Sequence, residues 1–114
     1  MSEFTFGQYV VPIAASDYDM RFCLGQTLVV HSFACGLPVT RAPGNVLGGY
    51  KTLPDGTKCS FIWHDHQLRA AGHDEIIVAK LALKKRKREE YNMVRRARAR
   101  MKRKAALAAK VEAR

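Results

Sequence analysis

The chain has 114 residues and 12.8 kDa, carries a formal charge of +10, and is 47% hydrophobic. That length allows one small domain and an extension. No stretch approaches the roughly 20 consecutive apolar residues that a membrane span requires, so a transmembrane protein is excluded as an expectation. The amino-terminal MSEFTFGQYVV has no basic lead followed by an apolar run, so no secretory signal is expected. Cys23, Cys35 and Cys59 are an odd number without close spacing, which points to a reducing interior and not to a disulfide framework. The expected location is the cytoplasm, or the nucleus if the host is eukaryotic.

Taken in order, Phe4 to Ile13 (FTFGQYVVPI) is aromatic and β-branched and predicts a short strand, with Pro12 near its end or on an edge. Ala14 to Arg21 is a polar connection in which Asp17 and Asp19 read as solvated acids. Gln26 to Phe33 (QTLVVHSF) predicts a buried strand, broken by Cys35-Gly36-Leu37-Pro38. Val39 to Arg41 is a short extended piece, and Ala42-Pro43-Gly44-Asn45 is turn chemistry.

Two extended runs, 50–53 and 57–63, flank Pro54-Asp55-Gly56 and predict a hairpin. On its second arm Cys59, Phe61 and Trp63 share one face, and Lys58, Ser60, Ile62 and His64 the other. Phe61 and Trp63, with Val29 and Phe33, read as interior. His64 to Ala71 reads as a turn or a single helical turn before Gly72. Asp74 is the expected N-cap of a helix that meets no Gly or Pro up to Ala113. Continuous, it would run about 60 Å at about 1.5 Å per residue. Ile77 and Leu81, with Ile76 and Leu83, are the side chains expected to dock it on the front domain. Val94, Ala97, Met101, Ala105 and Ala108 continue a thin stripe, too poor in Leu and Ile for a coiled coil.

The reading is α+β, with 1–72 a small β domain and 73–114 a basic helical extension. The strand pattern FGQYVVPI, then LGQTLVVHSF, then YKTLPDGTKCSFIWHDHQLRAA resembles a small SH3-like β-barrel over residues 4–71. In such barrels short strands are followed by a hairpin and a terminal turn. Similar modules occur in translation and transcription proteins and in small bacteriophage proteins. The resemblance implies a fold and leaves the function to the residues.

The chemistry is concentrated in Lys80 to Lys104, where thirteen basic residues face two acidic ones. The net +11 there leaves −1 for the rest of a +10 chain. Charge of one sign at this density calls for a polyanion. The candidate nucleic-acid-binding residues are Lys84, Lys85, Arg86, Lys87, Arg88, Arg95, Arg96, Arg98, Arg100, Lys102, Arg103 and Lys104. The arginines offer planar forks matched to phosphate oxygens. With Asn92 the one amide in the run, reading of base edges is not indicated. Lys84 to Arg88 also fits a nuclear-import cluster, a string that basic RNA-binding helices share. Most aromatics are needed for a core this small, and Tyr50, beside Lys51, is the candidate for a base-stacking contact.

No other constellation carries chemistry. Cys23, His31, Cys35, Cys59, His64, His66 and His73 include no paired zinc-ligand spacing. His31 with Cys35 is the one Cys–His pair for nucleophilic catalysis, and free thiols and surface histidines are the simpler reading. Gly44 to Gly49 (GNVLGG) lacks the Lys-Ser/Thr ending of a P-loop. The expected function is a non-enzymatic nucleic-acid-binding protein, a component or accessory of a ribonucleoprotein assembly, with no cofactor, metal or small-molecule substrate. The alternative is a small phage or viral module that captures an acidic host protein or enzyme.

Overall fold

The computed structural model describes residues 2–44 and 49–112. The chain divides into two compact units, Met1–Leu83 and Lys84–Arg114. Among the described residues the first holds four strands, β1 (Tyr9–Pro12), β2 (Leu28–Ala34), β3 (Leu37–Arg41) and β4 (Leu68–Ala70), and the start of the helix α1 (His73–Glu112). The arrangement is α+β. No helix among the described residues is long and apolar enough to cross a membrane.

The strands form one antiparallel sheet in the order β3-β2-β1-β4. This sheet is not closed into the barrel expected from the strand pattern. The reason lies in 50–63, which joins β3 through the isolated bridges Val39↔Ile62 and Ala42↔Tyr50 and not through a continuous ladder. The Pro-Asp-Gly turn itself forms. Leu53 N donates to Thr57 O at 2.8 Å, Thr52 bridges Lys58, and Asp55 Oδ1 accepts from Thr57 N at 2.9 Å. The expected alternation also holds, with Cys59 and Trp63 buried, Phe61 packed on the core, and Lys58, Ser60, Ile62 and His64 exposed.

β1 is an interior strand. Its Pro12 is tolerated because it is the last residue, where the missing N–H breaks no further rung, while its carbonyl accepts from Gly25 N at 3.1 Å. β2 turns into β3 through Cys35 and Gly36, both at positive φ (51° and 77°), the backbone of a two-residue hairpin turn whose twist matches the strands. The register slips between Val30 and Ser32, so His31 sits at a bulge.

The core gathers Phe4, Val10, Met20, Cys23, Leu28, Val30, Leu53, Cys59, Trp63 and Leu68. Phe33, expected inside, is 42% exposed, because β2 has run past the core where it pairs with the turn-proximal part of β3. Two polar groups are buried with partners. Trp63 Nε1 donates to Thr40 Oγ1 at 2.8 Å, and that hydroxyl donates to Cys59 O at 2.9 Å. Gln67 Nε2 donates to Ser16 Oγ at 2.6 Å, while its Oε1 accepts from His64 N at 2.9 Å.

Two connections differ from expectation. The 14–21 stretch leads into a 3-10 turn, Asp19–Cys23, with Asp17 Oδ1 accepting from Met20 N at 3.0 Å, so Asp17 is a structural acceptor and not merely solvated. His64 to Ala71 is a 3-10 turn, Asp65–Gln67, followed by β4, whose strand character comes from pairing with β1.

The helix starts at His73, so Asp74 is not its N-cap. Glu75, in the third helical position, reaches back instead: its Oε1 accepts from Gly72 N at 2.9 Å, one half of a capping box. The same carboxylate takes both arms of Arg69 at 2.6 and 2.9 Å. Within the first unit Ala79 is buried and Ile76 and Leu83 are half-buried, whereas Ile77 and Leu81 are 42% and 60% exposed. The docking face is thus rotated from the expected one, centred on the small Ala79, which permits close approach.

Candidate nucleic-acid interface

Beyond Leu83 α1 carries the basic run through residues with no Gly, Pro or Thr. Alanine, arginine, lysine and methionine are strong helix formers, which is why the helix persists without a core. Its first turn carries Asp74 and Glu75 and its last Lys110, charges that complement the helix dipole.

Of the twelve candidate cations, eleven are exposed. Arg86 is the exception. Its side chain is 19% exposed and its Nε lies 3.7 Å from Glu90 Oε1, one turn on. Arg86 thus has an acidic neighbour within the helix, a weak pair with which a phosphate would compete.

The helical repeat of about 3.6 residues sorts the others. Lys84, Arg88, Arg95, Arg98 and Lys102 fall on one line, because their spacing follows steps of three and four residues. From Lys84 to Lys102 the line runs ~27 Å. Lys85, Arg96 and Arg103 form a neighbouring line, and Arg100 and Lys104 lie further round. Val94, Ala97, Met101 and Ala108 keep the remaining strip free of charge. The cations past Tyr91 thus cover most, but not all, of the circumference, unlike Lys84 to Arg88, which surround it.

One residue on the first line was not singled out from the sequence. Tyr91 fills the gap between Arg88 and Arg95 and is 67% exposed. Beside it lies an open hollow of about 280 Å³, lined by Tyr91, Val94, Arg95, Arg98, Ala99 and Lys102. A second hollow, lined by Asn92, Arg95, Arg96 and Ala99, adjoins it. Both exist because Ala99 puts only a methyl group between long arginine stems. The signal was present in the sequence as a spacing of seven from Lys84 to Tyr91 and again to Arg98, and it has meaning only once the helix is continuous.

Tyr50 is half-buried, packed against the core of the first unit, with its Cδ2 edge close over Gly44. Residues 45–48 of the GNVLGG stretch, and the end of the 42–45 turn, lie outside the described residues.

The remaining candidates for chemistry are dispersed. Cys35 is exposed on the β2–β3 turn. His31 sits at the bulge, where burial and then the Arg41 guanidinium lower its pKa and favour the neutral ring. Cys23 and Cys59 are buried thiols that form no disulfide. Cys23 Sγ donates to Lys58 O at 2.9 Å, and burial, then the charges of Cys59 and Asp55, push its pKa up to about 11. Such a thiol is a poor nucleophile at neutral pH. The His64 and His66 rings stack at 5.6 Å. Among the described residues no group of three His, Cys, Asp or Glu is placed to hold a metal ion.

No protein-family model, curated protein or solved structure matches this chain.

Proposed function

We propose that the chain is a non-enzymatic nucleic-acid-binding protein, a component or accessory of a ribonucleoprotein assembly. Helix residues 84–104 contact phosphates, and the sheet unit docks on the larger particle. The observation that carries this reading is the exposed line of Lys84, Arg88, Arg95, Arg98 and Lys102, all on one side of one helix. An ordinary solvated helix face mixes signs, whereas this line has no acid on it. The reading places the protein in the cytoplasm, or the nucleus of a eukaryotic host, and needs no cofactor or small-molecule substrate.

Each phosphate neutralised releases counterions. Five contacts to a single strand give a slope of roughly −3.5 in log affinity against log salt. Raising salt four-fold then weakens binding roughly 100-fold. Fluorescence anisotropy with labelled RNA and DNA oligonucleotides at two salt concentrations tests this. A flat response, or no binding at low salt, rejects it.

A second reading has its own support in the first unit. Ile13, Tyr18, Phe22 and Leu24 are 55%, 69%, 55% and 41% exposed, and the Tyr18 and Phe22 rings meet edge to face at 5.3 Å. Exposed aromatics of this kind favour a protein partner, as in a small phage or viral module that captures an acidic host protein. A pull-down that keeps its specific protein partner after nuclease treatment favours this second reading.

A further inference from the structure

Resting on the phosphate-binding reading, we infer that Tyr91 is a base-stacking residue and that the ligand of the basic helix is therefore single-stranded nucleic acid. Tyr91 lies on the same line as Lys84, Arg88, Arg95, Arg98 and Lys102, flanked along the axis by Arg88 and Arg95. Each flanking cation is about one turn away, ~4.5 Å for Arg88 and ~6 Å for Arg95 along the axis. One nucleotide can thus meet the ring with its base and both cations with its phosphates.

The ring is free for this. It is 67% exposed, and among the described residues it is stacked on no other ring. Its flank opens on the hollow lined by Val94, Arg95, Arg98, Ala99 and Lys102. A lining that mixes an aromatic and two small apolar side chains with three cations suits a flat apolar body that carries an anion at its edge, and a nucleotide has that form.

Strandedness follows from the chemistry of stacking. In a duplex both faces of each base are already covered by neighbours, and a side chain on a helix surface meets only phosphates and groove edges. An unpaired base has a free face and accepts an aromatic platform without regard to its identity. A tyrosine that merely packs on the stems of Arg88 and Arg95 would influence both kinds of ligand alike.

The test is anisotropy with the full chain, using a labelled single strand of about 15 nucleotides, as RNA and as DNA, and a duplex with the same number of phosphates. Tyr91→Ala is expected to weaken single-strand binding about ten-fold, the range stacking on one base provides. Duplex binding should change less than about two-fold, and Tyr91→Phe should restore the single-strand affinity. Alanine has the higher helix propensity, so a lost helix cannot produce the loss. Two results overturn the inference while the phosphate reading stands. In one, Tyr91→Ala binds the single strand as wild type does, with the steep salt slope retained. In the other, it weakens single strand and duplex equally. If the wild-type chain binds none of the oligonucleotides at low salt, the phosphate reading itself falls, and this inference with it.

Discussion

Thr40 is the hinge of the first unit's interior, and replacing it by valine isolates what its hydroxyl contributes. Valine has nearly the same shape, so little changes in packing. Two bonds disappear, the 2.8 Å bond from Trp63 Nε1 and the 2.9 Å bond to Cys59 O, while both partners stay in place at 0% exposure. Each hydrogen bond lost from a buried group costs about 1–3 kcal/mol. The added methyl returns about 0.8 kcal/mol. The net expectation is a loss of about 3 kcal/mol, against about 1 kcal/mol for Thr40→Ser, which keeps the oxygen and deletes a methyl. Trp63 is the only tryptophan, so its emission during urea unfolding reports this unit without interference. If Thr40→Val is as stable as Thr40→Ser, the Trp63–Thr40–Cys59 chain is not what satisfies the buried polar groups, and the reasoning fails.

Two further expectations concern titrating groups. In the native protein near pH 7.5 a thiol-specific reagent should label Cys35 quickly and Cys23 and Cys59 only after denaturation, as absorbance of the released chromophore would show. The raised Cys23 pKa favours the folded state below the ordinary thiol range and loses that effect as pH rises through about 11. The Glu75 carboxyl is held down at about 2, first by Arg69 and then by the Gly72 N–H. Its contribution is present above the ordinary carboxylate value of about 4.3 and fades as pH falls through about 2. Melting temperatures of wild type and Glu75→Gln should therefore differ by a constant amount above about pH 5.5 and converge toward pH 2. A gap that persists at pH 2 would refute the assignment.

What could be read in advance divides along local and non-local lines. The 58–64 alternation was legible because a strand with one covered face prints its period of two on the sequence, from Lys58 out to Trp63 in. β4 was not, since Leu68–Ala70 is three residues whose extended form exists only by pairing with Val10, Val11 and Pro12. The docking face of α1 turned on Ala79, which no hydrophobicity count would choose over Ile77 or Leu81. An open sheet in place of a closed barrel depends on whether single bridges lengthen into ladders, a property of the assembled chain. On the helix, the charge was visible as composition, whereas the engagement of Arg86 by Glu90 and the alignment of Tyr91 emerge only from helical phase.

The helix beyond Leu83 also works against itself. Lys84 and Arg88, Arg96 and Arg100, Arg98 and Lys102, and Arg100 and Lys104 stand four apart with the same sign, and each such pair opposes the helix by a few tenths of a kcal/mol. Whatever cancels those repulsions stiffens the rod as a direct result. Any anion that binds this segment would therefore act twice, as occupant and as scaffolding, and the segment's rigidity would gauge how much of its charge has been answered.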